Sequence, residues 1–116
     1  MTRKKNYRLE WTRSAEVDLE TVIDFIARSN PQNALQILQK IRVKATTLKQ
    51  GAMRGRKLPE LSYIGGLPYR ELIITPWRLI YQIDNNSVQI LGFFDGRRDL
   101  EDILYERLTR FSDNPI

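Results

Sequence analysis

The chain has 116 residues, a hydrophobic content of 41% and a formal charge of +5: enough to bury one core, too little for two ordinary domains. It contains neither cysteine nor histidine, which excludes disulfide scaffolds, thiolate metal sites and nucleophile systems of the Ser-His-Asp or Cys-His kind. No apolar run approaches the ~20 residues that span a bilayer, and the charged start from Met1 to Asn6 has no apolar segment behind it. A single cytoplasmic domain over residues 1–116, with no membrane association, no metal and no cofactor, is the expectation.

Tyr7 to Trp11 alternates Tyr7, Leu9 and Trp11 against Arg8 and Glu10, the pattern of a half-buried strand. Ala15, Leu19, Val22, Ile23 and Ile26 then recur at helical spacing, and Glu16, Asp18 and Glu20 suit the positive end of the helix dipole. Ser29-Asn30-Pro31 breaks and restarts the chain, with Asn30 as N-cap and Pro31 as first helical residue. Ala34, Ile37, Leu38, Ile41, Ala45 and Leu48 carry the stripe of a second helix that closes at Gly51. Two helices joined so tightly predict an antiparallel hairpin.

Residues 51–68 hold four glycines and two prolines and read as a long loop, the kind of segment that often carries function. Three strands follow, Tyr69 to Thr75, Trp77 to Ile83 and Ser87 to Phe94. Pro76 lies in the first connection, and Asn85-Asn86 forms a two-residue hairpin turn. A last helix from about Asp99 carries Leu100, Ile103, Leu104, Leu108 and Phe111. The order β-α-α-β-β-β-α predicts an α+β domain in which a helical hairpin packs on a small, twisted, mainly antiparallel sheet with a C-terminal helix.

Charge is distributed unevenly. No acidic residue falls between Asp24 and Glu60, whereas Arg28, Lys40, Arg42, Lys44, Lys49, Arg54, Arg56 and Lys57 all do. A solvated helix face accounts for any one of these, and a surface for nucleic acid or an acidic protein accounts for the whole stretch. Further on, Arg70, Arg78 and Arg98 stand at strand ends and a turn, and folding would gather them into a positive site with few local counter-charges. Arginine suits phosphate, because its planar fork donates paired hydrogen bonds and stays charged.

Strand alternation turns Arg78, Ile80 and Gln82 away from the apolar face of Trp77, Leu79, Tyr81 and Ile83. Arg78 is read as functional ahead of an ion pair with Glu71 or Glu60. Glu60 is read as a loop bond or an arginine partner, and Arg97 as a solvated charge. Arg78 and Arg98 both read as surface residues replaceable at little cost in stability. Tyr105 near arginines could serve as acid or base in RNA cleavage, but a half-buried helix position explains it more simply. Trp77, Tyr81, Phe93 and Phe94 suit base stacking, although alternating aromatics on strands are usually core.

Pro59-Glu60-Leu61, Tyr69-Arg70-Glu71-Leu72, Arg78-Leu79-Ile80-Tyr81 and Gly96-Arg97-Arg98-Asp99-Leu100, in this order, resemble the RelE/ParE superfamily of bacterial type II toxin–antitoxin toxins. The likeness runs from Ala15 to Leu108. It implies a helical hairpin on a twisted sheet, a cognate acidic antitoxin and a toxin–antitoxin hetero-oligomer. Two activities are implied within the superfamily. ParE-like members bind DNA gyrase and catalyse nothing; RelE-like members are endoribonucleases that cleave mRNA on the ribosome. By position, Arg70, Arg78 and Arg98 resemble the basic residues of the ribonuclease set. That match departs at Leu72, where a second basic residue is expected, and at Leu104, where a tyrosine or histidine is expected and Tyr105 is one residue off. Long helices and Gly-Arg-Arg-Asp-Leu resemble the ParE branch, with Arg56, Glu60, Arg70, Arg78, Arg97 and Arg98 as residues for target or antitoxin. A binding module for an antitoxin or nucleic acid is the remaining alternative.

Overall fold

A computed structural model describes residues 6–61 and 68–113. Strand β1 (Arg8–Trp11) leads into helices α1 (Arg13–Ala27) and α2 (Pro31–Thr46), followed by short 3-10 turns at Thr47–Lys49 and Ala52–Arg54. Strand β2 (Arg56–Lys57) and a third such turn (Pro59–Leu61) precede β3 (Tyr69–Ile74), β4 (Trp77–Asp84), β5 (Ser87–Asp95) and α3 (Leu100–Asp113). The sheet order is β1-β5-β4-β3-β2. β1 runs parallel to β5, and every other neighbouring pair is antiparallel.

The expected fold class is therefore present, with one addition. The segment read as a long loop is not structureless, because Arg56 and Lys57 pair with Glu71 and Arg70 as a fifth strand. Two residues are too short for any periodicity to register.

Local chemistry sets the helix ends. Thr12 Oγ1 accepts from the Ala15 amide at 3.3 Å and donates to the Ile90 carbonyl at 2.9 Å, so the α1 cap is also its tie to the sheet. Asn30 Oδ1 accepts from the Asn33 amide at 3.0 Å, with Pro31 as the first helical residue; each cap satisfies an amide that the helix leaves open. The hairpin turn between β4 and β5 places Asn85 at φ 54°, the left-handed region asparagine tolerates.

The core lies between the hairpin and one sheet face. Ala15, Leu19, Ile41, Ala45 and Leu48 pack against Leu72, Ile74, Leu79, Tyr81, Val88, Ile90 and Phe93. Tyr7, Leu9 and Trp11 border this core as the alternation predicted. A smaller cluster of Leu58, Ile80 and Phe94, bordered by Leu61, Tyr69 and Ile103, covers part of the other face. Tyr81, Phe93 and Phe94 are buried, so these aromatics serve packing and are not available for stacking.

Two polar ties hold the layers together. Asp18 on α1 accepts the Phe93 amide at 3.1 Å and both terminal nitrogens of Arg107 at 2.9 and 3.2 Å, joining α1, β5 and α3. Tyr81 Oη accepts the Gly55 amide at 2.9 Å and donates to the Ala52 carbonyl at 2.6 Å. Gly55 passes so close that a Cβ there would lie 2.4 Å from the Glu71 carbonyl and 2.5 Å from Tyr81 Oη. Tyr81→Phe should therefore cost about 1–3 kcal/mol by orphaning two buried backbone groups. Gly55→Ala should cost at least as much through overpacking. Urea denaturation of both variants checks this, and a loss below half a kcal/mol in either would contradict the tie.

Candidate functional site

Cross-strand register decides which arginines can meet. Arg70 lies opposite Tyr81, while Glu71 lies opposite Ile80 and Ile73 opposite Arg78. Cross-strand partners share a sheet face, so Arg70 belongs to the hairpin side and Arg78 to the other. Arg70 donates to the Gly55 carbonyl at 2.8 Å. The expected gathering of Arg70, Arg78 and Arg98 does not occur, because odd and even positions on paired strands face opposite ways.

The expectation of few counter-charges is also corrected. Glu71 has a side-chain exposure of 0% and Arg78 of 11%. Arg78 Nε donates to Glu71 Oε1, and its two terminal nitrogens donate to Glu60 at 2.5 and 2.6 Å. Arg56 Nε donates to the other Glu71 oxygen at 2.7 Å. Two cations and two carboxylates thus form one formally neutral chain of bonds across β2, β3, β4 and the Pro59–Leu61 turn. Glu60 is the arginine partner that one reading of Pro-Glu-Leu anticipated. Its hydrogen bond with Arg78 holds its carboxyl below the ordinary value of 4.5. Bonds to Glu60 in turn push Arg78 above its usual value, against the cost of its burial.

Arg78 is therefore not a surface residue. It neutralises a carboxylate with no access to water, and leaving such a charge unpaired is strongly destabilising. Arg78→Ala is expected to lose about 3–5 kcal/mol, whereas Arg98→Ala should change stability within about 0.5 kcal/mol. Chemical denaturation separates the two. Linkage gives a second check. A depressed carboxyl stabilises the fold above the unfolded value and loses that contribution as pH falls through the folded one. The stability gap between the native chain and Glu60→Gln should hold at neutral pH and close below the ordinary 4.5. A gap that persists unchanged in acid would show that Glu60 acts by something other than its charge.

Other expected residues lie apart from this network. Arg97 is solvated and chelates Asp95 from its own turn at 2.8 and 3.0 Å, which draws the Asp95 carboxyl down to about 2. Arg98 is exposed, and its side chain has no hydrogen-bond or ion-pair partner among the described residues. Tyr105 is 77% exposed rather than half-buried, and its side chain joins none of the arginines among the described residues. Among the described residues no cluster could hold a metal ion.

The described residues also form open grooves. One of about 440 Å³ runs past Phe25 and Ile26 at the end of α1, Pro76, Trp77 and Phe93, with Arg97 and Arg98 at its rim. Another, of about 690 Å³, lies between α2 and the outer edge of β3. Asp18, read from the sequence only as a charge suiting the helix dipole, and Arg107, which was not singled out, seat α3 beside the first groove. Their only signal was an acid on the polar side of one helix and a base on another.

A family model described as the ParE toxin of the type II toxin–antitoxin system parDE matches residues 9–100. The chain belongs to the ParE toxin family. Its fold is similar to a solved chain of the chromosomal ParDE toxin–antitoxin system from P. aeruginosa, with TM-score 0.64 and 26% identity, covering 77% of this chain and 95% of that one. The RelBE2 toxin–antitoxin complex from Mycobacterium tuberculosis is similar in fold, with TM-score 0.58 and 21% identity, covering 82% of this chain and 97% of that one. No curated protein matches the chain significantly. Membership covers the hairpin, the sheet and the start of α3, the parts whose geometry is described above.

Proposed function

We propose that this ParE-family toxin arrests growth by binding DNA gyrase, without catalysis of its own, and that a cognate acidic antitoxin neutralises it in the cytoplasm as a toxin–antitoxin hetero-oligomer. The observation that carries the reading is the state of the arginines. A phosphate cradle needs several unpaired cations aimed at one point. Here Arg78 is saturated by Glu71 and Glu60, and Arg70 lies on the opposite sheet face. Tyr105 is exposed to solvent. This arrangement disfavours an mRNA-cleaving site and favours a surface that binds.

Roles for the expected site residues follow from their settings. Arg98, exposed beside the groove at the end of α1, is the target contact, with Arg97 at the same rim. Arg56, whose side chain is largely exposed, contributes charge. Arg70, Arg78 and Glu60 act by holding the loop and strands in place.

Induction of the chain without antitoxin tests the reading. The expected outcome is growth arrest with filamentation and DNA-damage signalling, and inhibition of gyrase by the purified protein. Rapid translation arrest with cleaved mRNA would instead establish the ribonuclease alternative. Normal growth at verified soluble expression would leave only a binding module. Arg98→Ala should stay folded and lose most toxicity, roughly tenfold or more in the dose needed for arrest.

A further inference from the structure

Helix α1 is longer than the strand it packs on. It advances along β5 from Thr12, bonded to the Ile90 carbonyl, to Asp18, bonded to the Phe93 amide. From Phe93 the strand runs only to Asp95, about 7 Å, whereas the helix continues from Asp18 to Ala27, about 13 Å. The last turns of α1 therefore overhang the sheet, and burial falls along the helix. Ala15 and Leu19 are buried, Val22 and Ile23 half-buried, and Phe25 is 70% exposed. Single exposed apolar residues are ordinary on a protein surface, but Phe25 helps to wall a groove.

That groove is the one of about 440 Å³. Thr21, Val22, Phe25 and Ile26 line it from α1 at helical spacing, and Pro76, Trp77 and Phe93 line it from the strands, with the last two rings 5.7 Å apart. Most of its polar side chains are already engaged. Thr21 donates to the Val17 carbonyl at 2.9 Å. Asp18 holds Arg107 and the Phe93 amide, and Asp95 holds Arg97. The lining side chains left without a partner among the described residues are both donors, the Arg98 guanidinium and the Trp77 indole, and neither is sealed from solvent.

Apolar walls with free donors call for an apolar side chain beside a carboxylate. Two aspartates and two arginines line the groove, so their formal charges cancel. A nucleic acid, which binds through a row of cations, would meet one unpaired arginine and two carboxylates here. Resting on the functional reading above, we infer that the groove takes a segment of the gyrase target in which an aromatic or branched aliphatic side chain stands beside a single aspartate or glutamate. The apolar side chain lies against Phe25 and Ile26, and the carboxylate takes the paired donors of Arg98. Phe25 is then the apolar anchor of the contact and Arg98 its charged one.

Purified gyrase and the whole purified chain test the site. Phe25→Ala and Arg98→Glu should each weaken binding to gyrase roughly tenfold or more while circular dichroism stays unchanged. Leu35→Ala, which trims a side chain of similar exposure (64%) on α2, should leave binding as it is. A photoreactive benzophenone side chain in place of Phe25 should cross-link to a gyrase segment that carries an acidic residue beside apolar ones. Full binding by either Phe25→Ala or Arg98→Glu would overturn the site and leave the gyrase reading standing. An equal loss in Leu35→Ala would also overturn it, because the contact would then be general adhesion. A cross-link to DNA, to a basic segment or to a second copy of the chain would assign the face elsewhere and sink the proposal. A chain that arrests growth without binding gyrase removes the functional reading, and this assignment falls with it.

Discussion

Glu71 carries a carboxylate on the middle of β3 with no contact to water, and a good deal of the architecture follows from keeping that charge paired. Burial of an isolated carboxylate is far too costly to persist, so the cations around it are obligatory. Arg78 comes from the neighbouring strand and Arg56 from the short β2. Arg78 then needs acceptors for its remaining nitrogens, and Glu60 brings the Pro59–Leu61 turn over the sheet to provide them. On the opposite face, Tyr81 and Arg70 grip the backbone of Ala52 and Gly55. The segment from Ala52 to Leu61 is consequently fastened to both faces of the same two strands.

A second set of ties orients the helices on that platform. Thr12 joins the start of α1 to β5, and Arg42 reaches back from α2 to Glu16 at 2.9 Å while its guanidinium lies over the Trp11 ring at 4.5 Å. Asp18 collects an amide from β5 and the guanidinium of Arg107 from α3. The sheet is thereby committed at its centre and toward β1, and it stays unfinished at the β3 edge. Charge follows the same division: the far face is neutralised by internal pairs, while Lys40, Lys44 and Arg54 have no ion-pair partner among the described residues beside the β3 edge.

That division bears on what kind of toxin this is. Catalysis of phosphodiester cleavage concentrates preorganised cations and an acid or base on one reacting group. In this chain the central arginine is spent on structure, the arginine one strand over faces the hairpin, and the free cations lie on separate surfaces. Separate, partly apolar, positively charged surfaces suit binding to acidic partners. Family membership makes the chain a type II toxin of the ParE family, and the arrangement of charges decides which of its arginines are free to bind.

The fold was legible from the residues because its signals are local and periodic. The helical stripes from Ala15 to Ile26 and from Ala34 to Leu48, the Asn30-Pro31 start and the Asn85-Asn86 turn act through near neighbours, and each appears where its chemistry requires. The four short segments that carry the resemblance likewise sufficed to indicate the family. Strand parity even showed that Arg78 turns away from Leu79 and Tyr81. What the chain order could not convey was the register between strands. Whether Arg70 joins Arg78 depends on Arg70 standing opposite Tyr81 and Glu71 opposite Ile80, a relation between residues distant in sequence. For the same reason the burial of Glu71, its three charged companions, the two-residue β2 and the Asp18–Arg107 pair emerged only with the tertiary structure. A charge written in a sequence is a type of side chain; its partners, and hence its role, are set by which distant segments close around it.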